Sequence, residues 1–300
     1  MSTGQKKLDL CQHSAVARLF SPTIIRELAT KGRSPLFSKL LLESRLLDSL
    51  DSRISVGAAF DMAFSYLKKK AYRTEYTYKA AIANKLLLGR HSLNTASLIS
   101  EFRIENCKAD IAIFNGTSTA YEIKSERDKL QRLNRQLSSY EKMFAKIYVV
   151  IGQNHIDEIL KITPQNTGIL VLNDRHSIST IREASECPEK ICPITICSAL
   201  QAKERIQLLE DFGIKPPDVP NTEMYRATAN LFSQLDPKDV HDRMVKVIRE
   251  SRKSSELIDF IPKVPKSLTA AVLAAPPKEK DRPQFMGAIN TPVMEALYWA

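Results

Sequence analysis

Residues 109–124 read ADIAIFNGTSTAYEIK, and the fold turns on this stretch. Apolar and polar residues recur with a period near two on both sides of Asn115-Gly116. That dipeptide between two strand-like runs is a strong hairpin signal. With a loop of residues 115–117, Asp110 falls directly opposite Glu122 on the neighbouring strand. Cross-strand neighbours lie about 5 Å apart at Cβ, close enough for two carboxylates to share one hard cation. Glu122 and Lys124 are two residues apart, so they share a face. A lysine there can orient a water and offset charge on a phosphorane. Ile111, Ile113 and Ile123 embed the trio in what reads as core sheet, where charges need partners. An ordinary ion pair on an exposed sheet edge would show the same pattern, and a one-residue change in turn length would move the register.

Outward from the hairpin, SLISEFRI (97–104), KIYVVIG (146–152) and TGILVLND (167–174) read as further strands. The last two are apolar throughout, as buried, parallel strands are. An amphipathic helix is expected over 127–144, with Leu130, Leu133, Leu137 and Tyr140 as its stripe, and another over 72–88. The order α, β, β, β, α, β, β predicts a mixed α/β core spanning about residues 72–174. The expected organisation is a helical N-terminal extension (1–70), this core (71–175) and a mostly helical C-terminal region (176–300). Ser21-Pro22 and Ser34-Pro35 each place a capping hydroxyl before a first-turn proline. SALQAKERIQLLEDFGI stops at Gly213, and PKDVHDRMVKVIRESRK is a basic amphipathic helix. Residues 276–284 (PPKEKDRPQ) read as an exposed linker. The apolar end PVMEALYWA is expected to dock on the body of the protein, or to serve a protein partner or self-association.

Composition limits the function classes. Of 300 residues, 43% are hydrophobic and 26% charged, ordinary for a chain that buries a core. The net charge of +10 suits a polyanionic partner, although a merely basic surface gives the same sum. No apolar run of about 18 residues is present to span a membrane, and MSTGQKKLDLCQH lacks a signal core, so no membrane partner and a cytoplasmic location are expected. The five cysteines read as reduced packing thiols, because Cys187, Cys192 and Cys197 have no histidine to complete a zinc set. The five histidines show no metal-ligand spacing. There is neither a phosphate-loop signature nor a serine nucleophile elbow.

Three further residues stand around the trio: Glu75 on the helix before the sheet, and Gln136 with Tyr140, one helical turn apart, on the helix after it. The combination closely resembles the PD-(D/E)xK, restriction-endonuclease-like nuclease superfamily. Its Gln-x-x-x-Tyr pair resembles the branch that includes phage lambda exonuclease and RecB-type nuclease domains. The resemblance covers about residues 72–174. The flanks, with FSPTIIRELATKGRSPLFSKLL and PPDVPNTEMYRA, resemble a small bacterial and prophage family of such proteins. The superfamily's motif proline is absent, since Lys108-Ala109 precedes Asp110.

The resemblance implies that Asp110 and Glu122, with the Ile123 carbonyl, hold Mg²⁺ or Mn²⁺, and that Lys124 positions the attacking water. Glu75 would help hold a metal-bound water or a second metal. Gln136 and Tyr140 would brace the site. The expected reaction is phosphodiester hydrolysis in DNA, in phage defence or mobile-element biology. Arg73, Lys79, Lys129 and Arg132 are the expected phosphate contacts, with Lys246, Arg249 and Arg252 as a weaker basic set. Two other readings use the same residues: a nucleic-acid-binding or regulatory protein on this fold without turnover, and a protein–protein adaptor.

Overall fold

The hairpin forms with the loop its spacing predicts. In the computed structural model, which describes residues 7–49, 53–84, 93 and 95–299, Asn115 N donates to Thr117 O at 2.8 Å. Gly116 has φ 65°, a left-handed conformation that glycine adopts without steric cost. The two arms are β2 (Cys107–Phe114) and β3 (Ser118–Lys124), paired antiparallel with Ile111 opposite Tyr121 and Phe114 opposite Ser118. This register directs Asp110 and Glu122 to one face of the sheet.

The architecture is mixed α/β. Six strands lie in the order β1 to β6, with β1 (Ser97–Ile104), β4 (Lys146–Ile151), β5 (Gly168–Leu172) and β6 (Ile178–Arg182) completing the sheet. β3, β4 and β5 run parallel, and the remaining neighbours are antiparallel. Helices Leu133–Tyr140 and Ile156–Ile162 connect the parallel strands, which need such crossovers. Glu122 pairs with Val149, and Lys124 with Ile151, so the charged residues share a face with core aliphatics.

That face packs on Leu133, Leu137 and Tyr140, and on Ile196, Leu208, Val240, Met244 and Ile248 from later helices. Gly168 is required by a close approach: a Cβ there would run into the Tyr148 ring, which itself stacks on Tyr121.

Two compact units divide the chain. One is residues 85–256, containing the whole sheet; the other joins residues 1–84 to 257–300. Helices Pro193–Ala199, Ala202–Asp211, Asn221–Phe232 and Pro237–Ser251 therefore belong with the sheet, and the helix Glu75–Ile82 with the terminal helices. In the discontinuous unit, Val56 N donates to Thr291 O and Val293 N to Ile54 O, tying the first part of the chain to the last. The aromatic end docks there as well, Trp299 lying 5.8 Å from the Phe37 ring. Ser34 caps its helix by accepting from Phe37 N at 3.0 Å.

Several expectations are corrected. The helix expected over 127–144 spans only Leu133–Tyr140. Ser125 N and Oγ both donate to Asp128 Oδ2, and this turn holds the chain out of a helix. β6 is an unexpected strand, with a largely exposed, Ser/Thr-bearing sequence that lacks an apolar run. The segment 276–284 is not all linker: Arg282 opens a helix to Asn290. Of the helix expected over 72–88, residues 75–82 are helical, and those beyond 84 lie outside the described residues. No helix among the described residues is long and apolar enough to cross a membrane.

Candidate metal and nucleic-acid site

Five of the six expected site residues belong to the sheet unit, and four of them form one hydrogen-bonded cluster. Glu122, 2% exposed, sits near the end of β3. Lys124 Nζ donates to Glu122 Oε1 at 2.6 Å and to Gln136 Oε1 at 3.0 Å. The Tyr140 hydroxyl lies 2.7 Å from Glu122 Oε2 and 2.6 Å from the Lys108 carbonyl oxygen, so its single proton can serve either. Burial, followed by the adjacent Glu122 charge, pushes the Tyr140 phenol well above its ordinary value. It therefore stays a neutral donor. Gln136 and Tyr140, one turn apart, reach Lys124 and Glu122 respectively, which explains the value of their spacing.

Asp110 occupies the place where the hairpin ladder stops. The last ladder pair is Ile111 with Tyr121, and beyond it Asp110 Oδ2 accepts from Ile123 N at 2.6 Å. On the other side, the pairing of β1 with β2 skips Glu101 and Asp110, and Glu101 has φ 56°, unusual for a non-glycine. Glu101 and Asp110 carboxylate oxygens lie within 4.8 Å of one another. Glu101 was missed because a glutamate at a polar position of SLISEFRI reads as solvent face. His155, 9% exposed, was also missed: its Nε2 is 2.9 Å from the Ser125 carbonyl, just past Lys124. A histidine in the turn after a strand carries no spacing signal.

The donor set fits a hard divalent cation. Asp110, Glu122 and the Ile123 carbonyl offer oxygen ligands of the kind Mg²⁺ and Mn²⁺ take, with no competing thiolate or imidazole among them.

The remaining expected residues are on other elements of the chain. Glu75 is in the discontinuous unit, exposed at the first position of its helix, and pairs with Lys79 Nζ at 2.5 Å. Arg73 is buried, and its Nε donates to the Lys68 carbonyl. Lys129 and Arg132 are exposed on the turns leading into the Leu133–Tyr140 helix. Of the weaker basic set, Arg252 is consumed by a carboxylate: its Nε and Nη2 each lie 2.6 Å from Glu204.

Fold and site together define a mixed α/β protein with a carboxylate–lysine cluster at the end of its central hairpin. The chain belongs to the bacteriophage P4 protein cII family, whose model matches residues 68–269. Protein cII of Enterobacteria phage P4 is a relative, 29% identical over 127 residues. The alignment covers 41% of this chain and 48% of that protein, so the chain spans about half of that relative's length. No solved structure matches.

Proposed function

We propose that the sheet unit is a metal-dependent phosphodiesterase core acting on DNA, of the PD-(D/E)xK type. One observation carries the reading. Asp110 and Glu122 share a sheet face where the ladder opens, and Lys124 is held 2.6 Å from Glu122 by a brace that includes Gln136. Asp110, Glu122 and the Ile123 carbonyl would hold Mg²⁺ or Mn²⁺, with Glu101 at hand as a further carboxylate. A bound cation supplies Lewis acidity and a water of lowered pKa.

The chain's own residues do the rest. Lys124 brings a fixed positive charge to the point where phosphate charge develops. Tyr140 and Gln136 keep Glu122 and Lys124 from turning away. Lys129 and Arg132 are exposed cations suited to sequence-independent phosphate contacts.

A second reading is a regulatory or adaptor protein on this fold, binding nucleic acid or protein without turnover. Membership of the bacteriophage P4 protein cII family supports this reading better than the first. The closed cluster also agrees with it, since Lys124 and Tyr140 already engage both oxygens of Glu122.

The test incubates plasmid and linear DNA with the full chain and Mg²⁺ or Mn²⁺, using wild type, Asp110→Ala and Lys124→Ala. Hydrolysis by wild type alone supports the first reading. Equal inertness of all three in both metals, with DNA retained in a binding assay, supports the second. Cutting by both variants at the wild-type rate overturns the site.

A further inference from the structure

We propose that a pocket between the end of the Pro237–Ser251 helix and the start of β1 is a phosphate-binding site that seats a nucleic-acid backbone. The choice of ligand rests on the nucleic-acid reading above. The cavity has a volume of about 220 Å³, and its lining includes Ser97, Lys246, Arg249, Glu250, Lys253 and Ser254. This is smaller than the roughly 300–1,000 Å³ of pockets that enclose whole organic ligands, and it suits a charged group more than a drug-sized molecule.

The charges point the same way. Lys246, Arg249 and Lys253 recur at three- and four-residue steps, so the helix and the turn after it present them on one side. None of the three has an ion-pair or hydrogen-bond partner among the described residues. Arg252, between them in sequence, turns away to Glu204. Three cations face one carboxylate, Glu250, and a second negative influence, the helix C-terminus, amounts to about half a charge. The pocket is therefore cationic on balance.

Two hydroxyls complete it. Ser97 and Ser254 are 2% and 7% exposed. Ser254 Oγ accepts from Leu98 N, which leaves its own O–H to donate. Cations and hydroxyl donors around a small cavity match the acceptor oxygens of phosphate. From Lys246 to Lys253 the backbone advances about 10 Å, a spread that suits successive phosphates of a nucleic-acid backbone.

The experiment measures binding of a labelled oligonucleotide by the full chain in EDTA, with inorganic pyrophosphate tested separately by calorimetry. Wild type is compared with Lys246→Ala/Arg249→Ala/Lys253→Ala. A control, Lys161→Ala/Lys203→Ala/Lys238→Ala, removes the same charge from exposed positions of the same unit. Lys246→Gln/Lys253→Gln is a milder variant should the triple fold poorly by circular dichroism.

The pocket triple is expected to bind the oligonucleotide about 10-fold or more weakly at low salt, with a salt slope shallower by about 2 to 3. The control should stay near wild type. If the pocket variants bind the oligonucleotide no more weakly than the control, the pocket assignment is overturned while the nucleic-acid reading survives. If wild type binds no oligonucleotide but binds pyrophosphate, and the pocket variants lose it, the backbone ligand is overturned and a free phosphate compound is the source. Binding of neither overturns the site altogether.

Discussion

Among the described residues of the sheet unit, two carboxylate–cation pairs with buried acids differ in kind. Glu122 with Lys124 and Glu204 with Arg252 each bury the acid to 2% exposure, and each has contacts of 2.6 Å. Around Glu204 every neighbour is a donor: Arg252 through two nitrogens, Ser251 Oγ at 2.7 Å and Gln201 N at 2.7 Å. Burial works to raise its carboxyl, but these donors outweigh that and hold it below the usual range. Such a pair ties one helix end to another. Around Glu122 the donors are fewer, and another carboxylate, Asp110, shares its face where the strands part. Burial of an acid therefore does not mark a candidate site. Another acid placed beside it, where no fold needs one, does.

The largest expected effect breaks the comparison from the functional side. Asp110→Asn keeps an oxygen that can accept from Ile123 N but loses the charge. DNA cleavage in Mg²⁺ should fall by at least about 100-fold, while stability in urea stays within about 0.5 kcal/mol. A stability loss as large as the one expected at Glu204 would make Asp110 a structural residue like Glu204.

Next in size, Glu204→Gln leaves Arg252 without a charged partner and with one acceptor oxygen fewer, and should cost about 3–5 kcal/mol at neutral pH, read by urea unfolding. The folded value of Glu204 is lowered, so its contribution is present above the unfolded carboxylate value of about 4.3 and is lost as pH falls through the folded one. The gap between wild type and variant should narrow on acidification. A gap that widens in acid is incompatible with the pairing described.

Tyr140→Phe removes one hydroxyl from the other cluster and leaves Glu122 Oε2 and the Lys108 carbonyl short of a donor. The expected loss is about 1–3 kcal/mol, with a further drop in any cleavage rate. Unchanged stability and rate would detach Tyr140 from the site.

The smallest effect calibrates the set. Lys190 pairs with Glu141 at 2.9 Å, but the lysine is 45% exposed. Lys190→Ala should change thermal stability by less than about 1 kcal/mol. A larger change would show that exposed pairs here are not the weak reference they are taken to be.

Much of the sheet was legible because its strands obey simple rules. β1 to β5 follow from alternation or apolar runs, and the hairpin register follows from Asn115-Gly116. β6 escaped because an exposed edge strand needs no apolar pattern. The helix after β3 starts six residues later than its apolar stripe, which includes Leu130, predicts, because the Ser125–Asp128 turn overrides that periodicity. At the site, the residues two or four apart on one element came together as their spacing requires. Glu101 was invisible, because its place beside Asp110 depends on a left-handed backbone that no pattern encodes. Arg73 reads as a surface cation by charge alone, yet it is buried, with its Nε donating to the carbonyl of Lys68 five residues earlier.

The division of the chain also sets an order of events. Residues 85–256 are contiguous, whereas the other unit is closed only when Val293 meets Ile54 and Thr291 meets Val56. During synthesis at about 5–20 residues per second, the sheet unit is complete while its companion still waits for its last segment. The helices from Leu10 to Ile82 are therefore made well before Thr291 and Val293, whose backbone bonds close their unit.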